Sequence, residues 1–298
     1  MNLSIRLLPL LLLLQLPGCG QAQSPDVRTV KPDLTVPQMT KQKPAPGLRV
    51  KQTVPGWPTN DVYHTLYLPT DYRPEATKKY PVIIEFAGNG GYASKWDDVS
   101  TGVPEGSNLG YGMSGGEGFI WVCAPFVSAD GKAVATRWWG DKPDWDPQPT
   151  VEYCQKLVPW ICKTYGGDAE RVVVAGFSRG AIAVNRIGLH NDEIAKLWCG
   201  FVAYSHYDGV WKWGWPGSDR KSALPRLKRL GNRPQFICHE HTPPERGLRA
   251  TREWIESTKL KGRFMFVETG FRNHNDAWVL RPSPARTALR KWLAETTK

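Results

Sequence analysis

Residues 171–181 constrain this chain more than any other stretch. Val172, Val173 and Val174 run without a polar interruption, the pattern of a short strand buried on both faces. Gly176-Phe177-Ser178-Arg179-Gly180 comes at once after it, and Ala181-Ile182-Ala183-Val184-Asn185 is helix-compatible. G-x-S-x-G by itself is a weak signal, because glycine and serine are common in loops. Between a buried strand and a helix it reads as a turn so tight that the serine takes strained backbone angles and stands exposed at the strand tip. Ser178 would then lie at a helix N-terminus, which favours developing negative charge, and it is the candidate nucleophile. The bland alternative is a plain strand–helix turn.

The rest of the chain alternates strand-like and helix-like segments. Residues 62–68, 80–86, 119–124, 172–175, 198–204, 234–238 and 263–269 read as strands. Residues 150–165, 223–230, 247–257 and a final segment introduced by Ser283-Pro284 read as helices, the last with serine at the N-cap and proline at N1. This alternation predicts an α/β fold with a doubly wound, mostly parallel sheet. Chemistry in such sheets gathers at the carboxyl ends of the strands.

Residues 48–298 are expected to form one such domain. Ahead of it, Arg6 precedes an apolar run over residues 7–16 that is too short to span a bilayer and sits where a signal-peptide core belongs. Residues 1–18 are therefore read as a signal peptide. Leu16-Pro17-Gly18-Cys19 resembles a lipobox, which would lipidate Cys19 and tether the protein to a bacterial membrane. Cleavage near Ala22 without lipidation, giving a periplasmic or secreted protein, is the alternative. Residues 19–47 are rich in Pro, Gln, Thr and Lys without apolar periodicity and read as a disordered tether.

With 41% hydrophobic residues in 298, the chain can build a sizeable core. Its net charge of +11 is scattered apart from a basic patch over residues 220–229, and no nucleic-acid motif accompanies it. Lipidation of Cys19 would leave five cysteines. Cys123, Cys199 and Cys238 lie in apolar runs, while Cys154 and Cys162 are two helical turns apart. No metal spacing and at most one disulfide are expected.

The loops that leave the strands supply the candidate site. After residue 86 comes Ala87-Gly88-Asn89-Gly90-Gly91, a loop able to aim backbone N–H groups at an oxyanion. The N–H groups near Asn89 and that of Arg179 are the expected pair of donors. After the last strand, the loop before the final helix presents His274, later in the chain than Ser178 and suited to serve as general base. Asp276 reads as a residue that fixes this loop. The acid stays open. Asp208 is the first choice, Glu240 the alternative and Glu245 a third, all on loop position. His206, Asp208, His239, Glu240, His241 and His274 could also be grouped around a metal, but no H-E-x-x-H spacing supports one, and neither metal nor cofactor is expected.

Fourteen tryptophans are the compositional outlier. Trp138, Trp139 and Trp145 lie in a long loop after residue 125, and Trp211, Trp213 and Trp215 come after the strand end that carries Asp208. Both insertions would overhang the site. Trp138, Trp139 and Trp213 are the candidate substrate-stacking residues, with a lid of mutually packed loops as the structural alternative.

Taken together, Tyr67-Leu68-Pro69-Thr70-Asp71-Tyr72, the run from Tyr80 to Gly91, Tyr165-Gly166-Gly167-Asp168, residues 171–180 and the His274 loop resemble the α/β-hydrolase superfamily. Within it they are most similar to secreted feruloyl/acetyl-xylan-esterase and polyhydroxyalkanoate-depolymerase-type serine esterases. The resemblance runs from about Val62 to the C-terminus. It implies an exported serine hydrolase acting on a carbohydrate-linked or similar carboxylic ester through an acyl-enzyme. A serine peptidase of the prolyl-oligopeptidase type and a non-catalytic sugar-binding relative are the alternatives. Two departures stand out. Ala87 replaces the histidine that usually opens the oxyanion loop, and the strand ending at Cys238 lacks the usual His-Gly-x-x-Asp. Some relatives, glucuronoyl esterases among them, carry the acid on the preceding strand, and this favours Asp208. They also have arginine after the nucleophile, so Arg179 hints at an acidic sugar ester.

Overall fold

The apolar runs form the centre of one large sheet because helices can cover them on both faces. The computed structural model describes residues 24–298 apart from 76, 95, 141–144 and 243–246. In chain order the strands are β1 (Met39–Thr40), β2 (Arg49–Gln52), β3 (His64–Tyr67), β4 (Tyr80–Phe86), β5 (Tyr92–Ala93), β6 (Val99–Ser100), β7 (Ile120–Ala124), β8 (Gly167–Phe177), β9 (Gly200–Tyr204), β10 (Pro234–His239) and β11 (Arg263–Glu268). The helices are α1 (Leu109–Ser114), α2 (Gln148–Tyr165), α3 (Arg179–Arg186), α4 (Asp192–Ala195), α5 (Arg220–Lys228), α6 (Leu248–Ser257) and α7 (Pro284–Thr296). As its sequence suggests, α7 is capped by Ser283, whose side chain accepts from the Arg286 N–H.

The sheet runs β1-β2-β3-β7-β4-β8-β9-β10-β11, and β5 pairs with β6 as a separate hairpin. All pairs from β7 to β11 are parallel, whereas β3 is antiparallel to β2 and β7. Alternation along the strands divides the core. Val82, Ile84 and Phe86 of β4 and Val172 and Val174 of β8 pack with Leu157 of α2, Ile182 of α3 and Trp254 of α6. Ile83, Val173, Ala175 and Phe177 face the other way, toward Leu109 of α1 and Leu289 and Leu293 of α7. From β4 the chain moves outward to β7, then returns across β4 to β8. The loops leaving β4 and β8 therefore diverge, and a crevice opens at their carboxyl ends.

The segment before residue 48 departs from its composition. Residues 24–47 are not the disordered tether expected. Val27 is buried, its N–H donates to Asn273 Oδ1 at 2.7 Å, and Asp33 pairs with Arg286 of α7. Met39–Thr40 adds a strand beside β2. A few anchors suffice to order a polar segment, and average composition does not register them. The proposed signal peptide, Cys19 and Ala22 lie outside the described residues.

The five described cysteines are free thiols, with Cys123, Cys154 and Cys238 buried. Burial pushes Cys123 up to about 12, so it behaves as a small apolar side chain.

Candidate active site

The elbow is built by two glycines that face each other. A Cβ on Gly176 would stand 2.2 Å from the carbonyl carbon of Gly180, and one on Gly180 would stand 2.0 Å from the Phe86 carbonyl oxygen. Only hydrogen at both positions lets β8, the start of α3 and the end of β4 approach this closely. Ser178 between them takes φ 57° and ψ −115°, and its N–H is held by the Tyr204 carbonyl at 2.9 Å. Such a conformation costs about 1–3 kcal/mol and persists only where the surroundings enforce it. A serine in the N-cap position ordinarily turns its hydroxyl onto the helix. Ser178 makes no such bond; its Oγ–H donates instead to Nε2 of His274 at 2.9 Å.

His274 is fixed from several directions. The Tyr204 hydroxyl reaches the carbonyls of Asn273 and Asn275 at 3.0 and 3.1 Å. The side-chain amides of the same two asparagines donate to Asp98, beside β6, at 3.1 Å each. The imidazole itself lies against Phe177 and Tyr92, with ring centroids 4.7 and 4.9 Å away. Asp276 holds the far end of the loop by accepting from the N–H and side-chain amide of Asn108.

On the other side of the ring, the Nδ1–H donates to Oε1 of Glu240 at 2.8 Å. Glu240 comes directly after β10 and is buried. Burial alone would raise its carboxyl. The His274 charge and hydrogen bond, assisted by His239 with Nδ1 3.3 Å from Oε2, outweigh it and hold the group at about 2. Glu240 is thus ionised throughout the neutral range.

Asp208, the first choice for this position, is elsewhere. Its side chain is 2% exposed, and both oxygens are taken by Arg226 of α5 at 2.7 and 3.0 Å. Its loop turns under α5 and α6, where the Asp208 carbonyl also accepts from Trp254 Nε1 at 3.1 Å. Glu245, the third candidate, lies outside the described residues. Among the described residues no group of three or more His, Cys, Asp and Glu side chains could hold a metal ion. His206 lies between His274 and Trp213, its ring tilted to both at 5.3 and 5.4 Å, where burial and the nearby His274 push it down to about 3 and keep it neutral.

The loop after β4 lies against the elbow, since a Cβ on Gly180 would also approach the Ala87 carbonyl oxygen to 3.0 Å. Asn89 spends its side chain on the Trp138 N–H at 2.9 Å, which ties this loop to the first tryptophan insertion. Arg179 occupies the first position of α3, where a backbone N–H has no acceptor within the helix. Its side chain is turned into the protein. It is 1% exposed, lies over the Phe126 ring at 3.7 Å and donates to the carbonyls of Gly102, Ala135 and Trp138. The hint of an acidic substrate drawn from Arg179 is thereby withdrawn: this guanidinium clamps two loops together.

The tryptophans divide by depth. Trp139 and Trp215 are buried, with ring centroids 5.3 Å apart, and Trp139 packs on Phe126. Trp139 is therefore core and not a substrate platform, because its loop folds inward behind the elbow. Trp138 and Trp213 remain half-buried, 5.1 Å apart, and join the two insertions over the site. Trp211 stacks on Trp213 at 5.9 Å and helps line a small pocket with His206 and Thr251.

The sequence did not single out Ser205, Tyr92 or Asp98, all of which touch His274 or its flanking residues. The Asn-His-Asn triplet around His274 was the available signal, since paired amides imply a nearby acceptor.

No family model and no curated protein matches this sequence. Among solved structures the chain is similar to a putative dipeptidyl aminopeptidase IV from Bacteroides ovatus, with TM-score 0.56 and 15% identity over 83% of this chain and 35% of that one. It is also similar to a ferulic acid esterase, with TM-score 0.51 and 16% identity over 84% and 96% of the two chains. A ferulic acid esterase from Anaeromyces mucronatus in complex with ferulic acid gives TM-score 0.50 and 14% identity over 84% and 93%. The chain spans about a third of the peptidase's length and nearly all of each esterase's. Strand order, elbow and these likenesses agree: the chain has the α/β-hydrolase fold.

Proposed function

We propose that this protein is a serine hydrolase that cleaves carboxylic esters through an acyl-enzyme. The carrying observation is the unbroken hydrogen-bonded series from Ser178 Oγ through His274 to Glu240 Oε1. Ser178 attacks the ester carbonyl while His274 takes its proton at Nε2. Glu240, ionised, holds the Nδ1 proton and stabilises the imidazolium that forms. Negative charge on the carbonyl oxygen is met by the Arg179 backbone N–H, by N–H groups near Asn89 and by the positive end of α3. His274 then returns the proton to the departing alcohol, and water repeats the sequence to release the acid.

Half-buried Trp138 and Trp213 beside neutral His206 favour a substrate with a flat or ring-shaped face, and a carbohydrate-linked ester fits this best. Likeness in length and fold to ferulic acid esterases adds to this reading. The apolar run over residues 7–16 and Cys19 support work outside the cytoplasm, with lipidation of Cys19 as the tether. A fluorophosphonate probe tests the core of the proposal. Ser178 should be labelled in the full chain and Ser178→Ala should not be. A panel of acetyl, feruloyl, glucuronate-methyl and nitrophenyl esters, with a prolyl amide as the peptidase arm, then ranks substrates. Faster turnover of the amide than of every ester would replace the esterase reading with a peptidase one.

A further inference from the structure

Ser205, the residue directly after β9, has no assigned part in the reaction. Its hydroxyl stands 2.7 Å from His274 Nδ1 and 3.0 Å from Glu240 Oε1, and the residue is fully buried. Its backbone has φ 85°, a region that side chains rarely adopt and glycine takes freely. The Ser205 N–H donates to the Cys238 carbonyl at 2.8 Å, which accounts for where the backbone lies but not for a side chain there. A strained residue whose side chain, among the described residues, meets two members of a hydrogen-bonded triad is held for those partners.

We infer that Ser205 is a positioning residue for His274 and Glu240; this rests on the hydrolase reading above. The single Nδ1 hydrogen faces two acceptors, Glu240 Oε1 and Ser205 Oγ. The Ser205 hydroxyl donates its own hydrogen to Oε1, which leaves its lone pairs toward Nδ1–H. The three groups close a small ring of hydrogen bonds that permits one tautomer of His274, with the Nε2 lone pair directed at Ser178. The same ring keeps Oε1 from swinging toward His239, whose Nδ1 is 3.3 Å from Oε2.

Two variants test this in the full chain. Ser205→Ala removes only the hydroxyl, and Ser205→Gly removes it while relieving the backbone. Both should lower kcat on a nitrophenyl ester by about ten- to a hundredfold, the range seen when groups that orient a reacting ligand are lost. KM should stay within about twofold of the wild type, because the loss falls on the chemical step. Ser205→Gly should melt at or above the wild-type temperature, so lost turnover cannot be put down to lost fold. A kcat within twofold of wild type in both variants would overturn the assignment. So would a fall in kcat matched by a rise in KM and a lower melting temperature in both. Absence of turnover in the wild type itself would instead sink the hydrolase reading, and Ser205's role with it.

Discussion

Oε1 of Glu240 lies 2.8 Å from Nδ1 of His274, while the carboxylate of Asp208 is bound on both oxygens by Arg226. Glu240→Gln should therefore lower kcat by roughly 10²–10⁴, in the range found when the acid of a serine triad is neutralised. KM should change little. Steady-state kinetics on a nitrophenyl ester checks this, and Glu240→Gln turning over like the wild type would remove Glu240 from the triad.

Asp208 should behave as a structural residue. Removing one partner of a buried ion pair leaves the other charge stranded, at a cost of about 3–5 kcal/mol. Asp208→Ala should lose that much stability in urea unfolding. Its kcat per folded molecule should stay within a few-fold of wild type at low temperature.

The two classes of tryptophan should separate cleanly. Trp139→Ala opens a cavity in the core, and we expect about 3–5 kcal/mol of destabilisation. Trp213→Ala, half-buried beside His206, should cost little stability but raise KM for a sugar- or ring-bearing ester several-fold. Equal KM for ring-bearing and simple acetyl esters in Trp213→Ala and wild type alike would argue against the stacking role.

Glu85 is a buried carboxyl outside the Ser178–His274–Glu240 hydrogen-bonded series. It accepts from the N–H groups of Leu109 and Gly110 and from Trp121 Nε1. Burial first, and then the charge of Asp276, raise it to about 7 against those three donors. A raised carboxyl binds its proton more tightly when folded. Its contribution is complete below about pH 4.5 and is lost as pH rises through 7. Urea midpoints should fall across that interval by the equivalent of up to roughly 3 kcal/mol. Glu85→Gln should flatten the slope even if it lowers stability overall.

Asp98 should act at a distance through the histidine loop. Its carboxylate collects the side-chain amides of Asn273 and Asn275, the two neighbours of His274. Asp98→Ala should lower kcat about tenfold, as expected for loss of a supporting hydrogen-bond partner. Amide exchange over residues 270–276 should accelerate, and unchanged exchange there would dissociate Asp98 from the loop.

Much of this site was legible in the sequence because it is encoded locally. Gly176 is demanded by its contact with Gly180 within one turn, and the valines before it demand a buried strand, so the elbow could be read from eleven residues, although Gly180 is demanded by the end of β4. His274 was legible from chain order and from the strand ahead of it. The strand and helix alternation was equally local, and it predicted the parallel sheet.

Which carboxylate reaches His274 was decided only by tertiary structure. Asp208 and Glu240 both come after neighbouring parallel strands, and nothing in either loop says which reaches the imidazole. Glu240 is the first residue beyond β10, so the sheet itself aims it. Asp208 lies further from β9, where the chain has already turned under α5, and Arg226 comes from 18 positions away to claim it. The same holds for Arg179, for Trp139 and for Val27 and Asp33 ahead of the domain. Residue type and local pattern determine which element forms and what chemistry a side chain offers. Whether that side chain meets solvent, core or a partner depends on contacts between segments distant in sequence, and those exist only once the sheet has assembled.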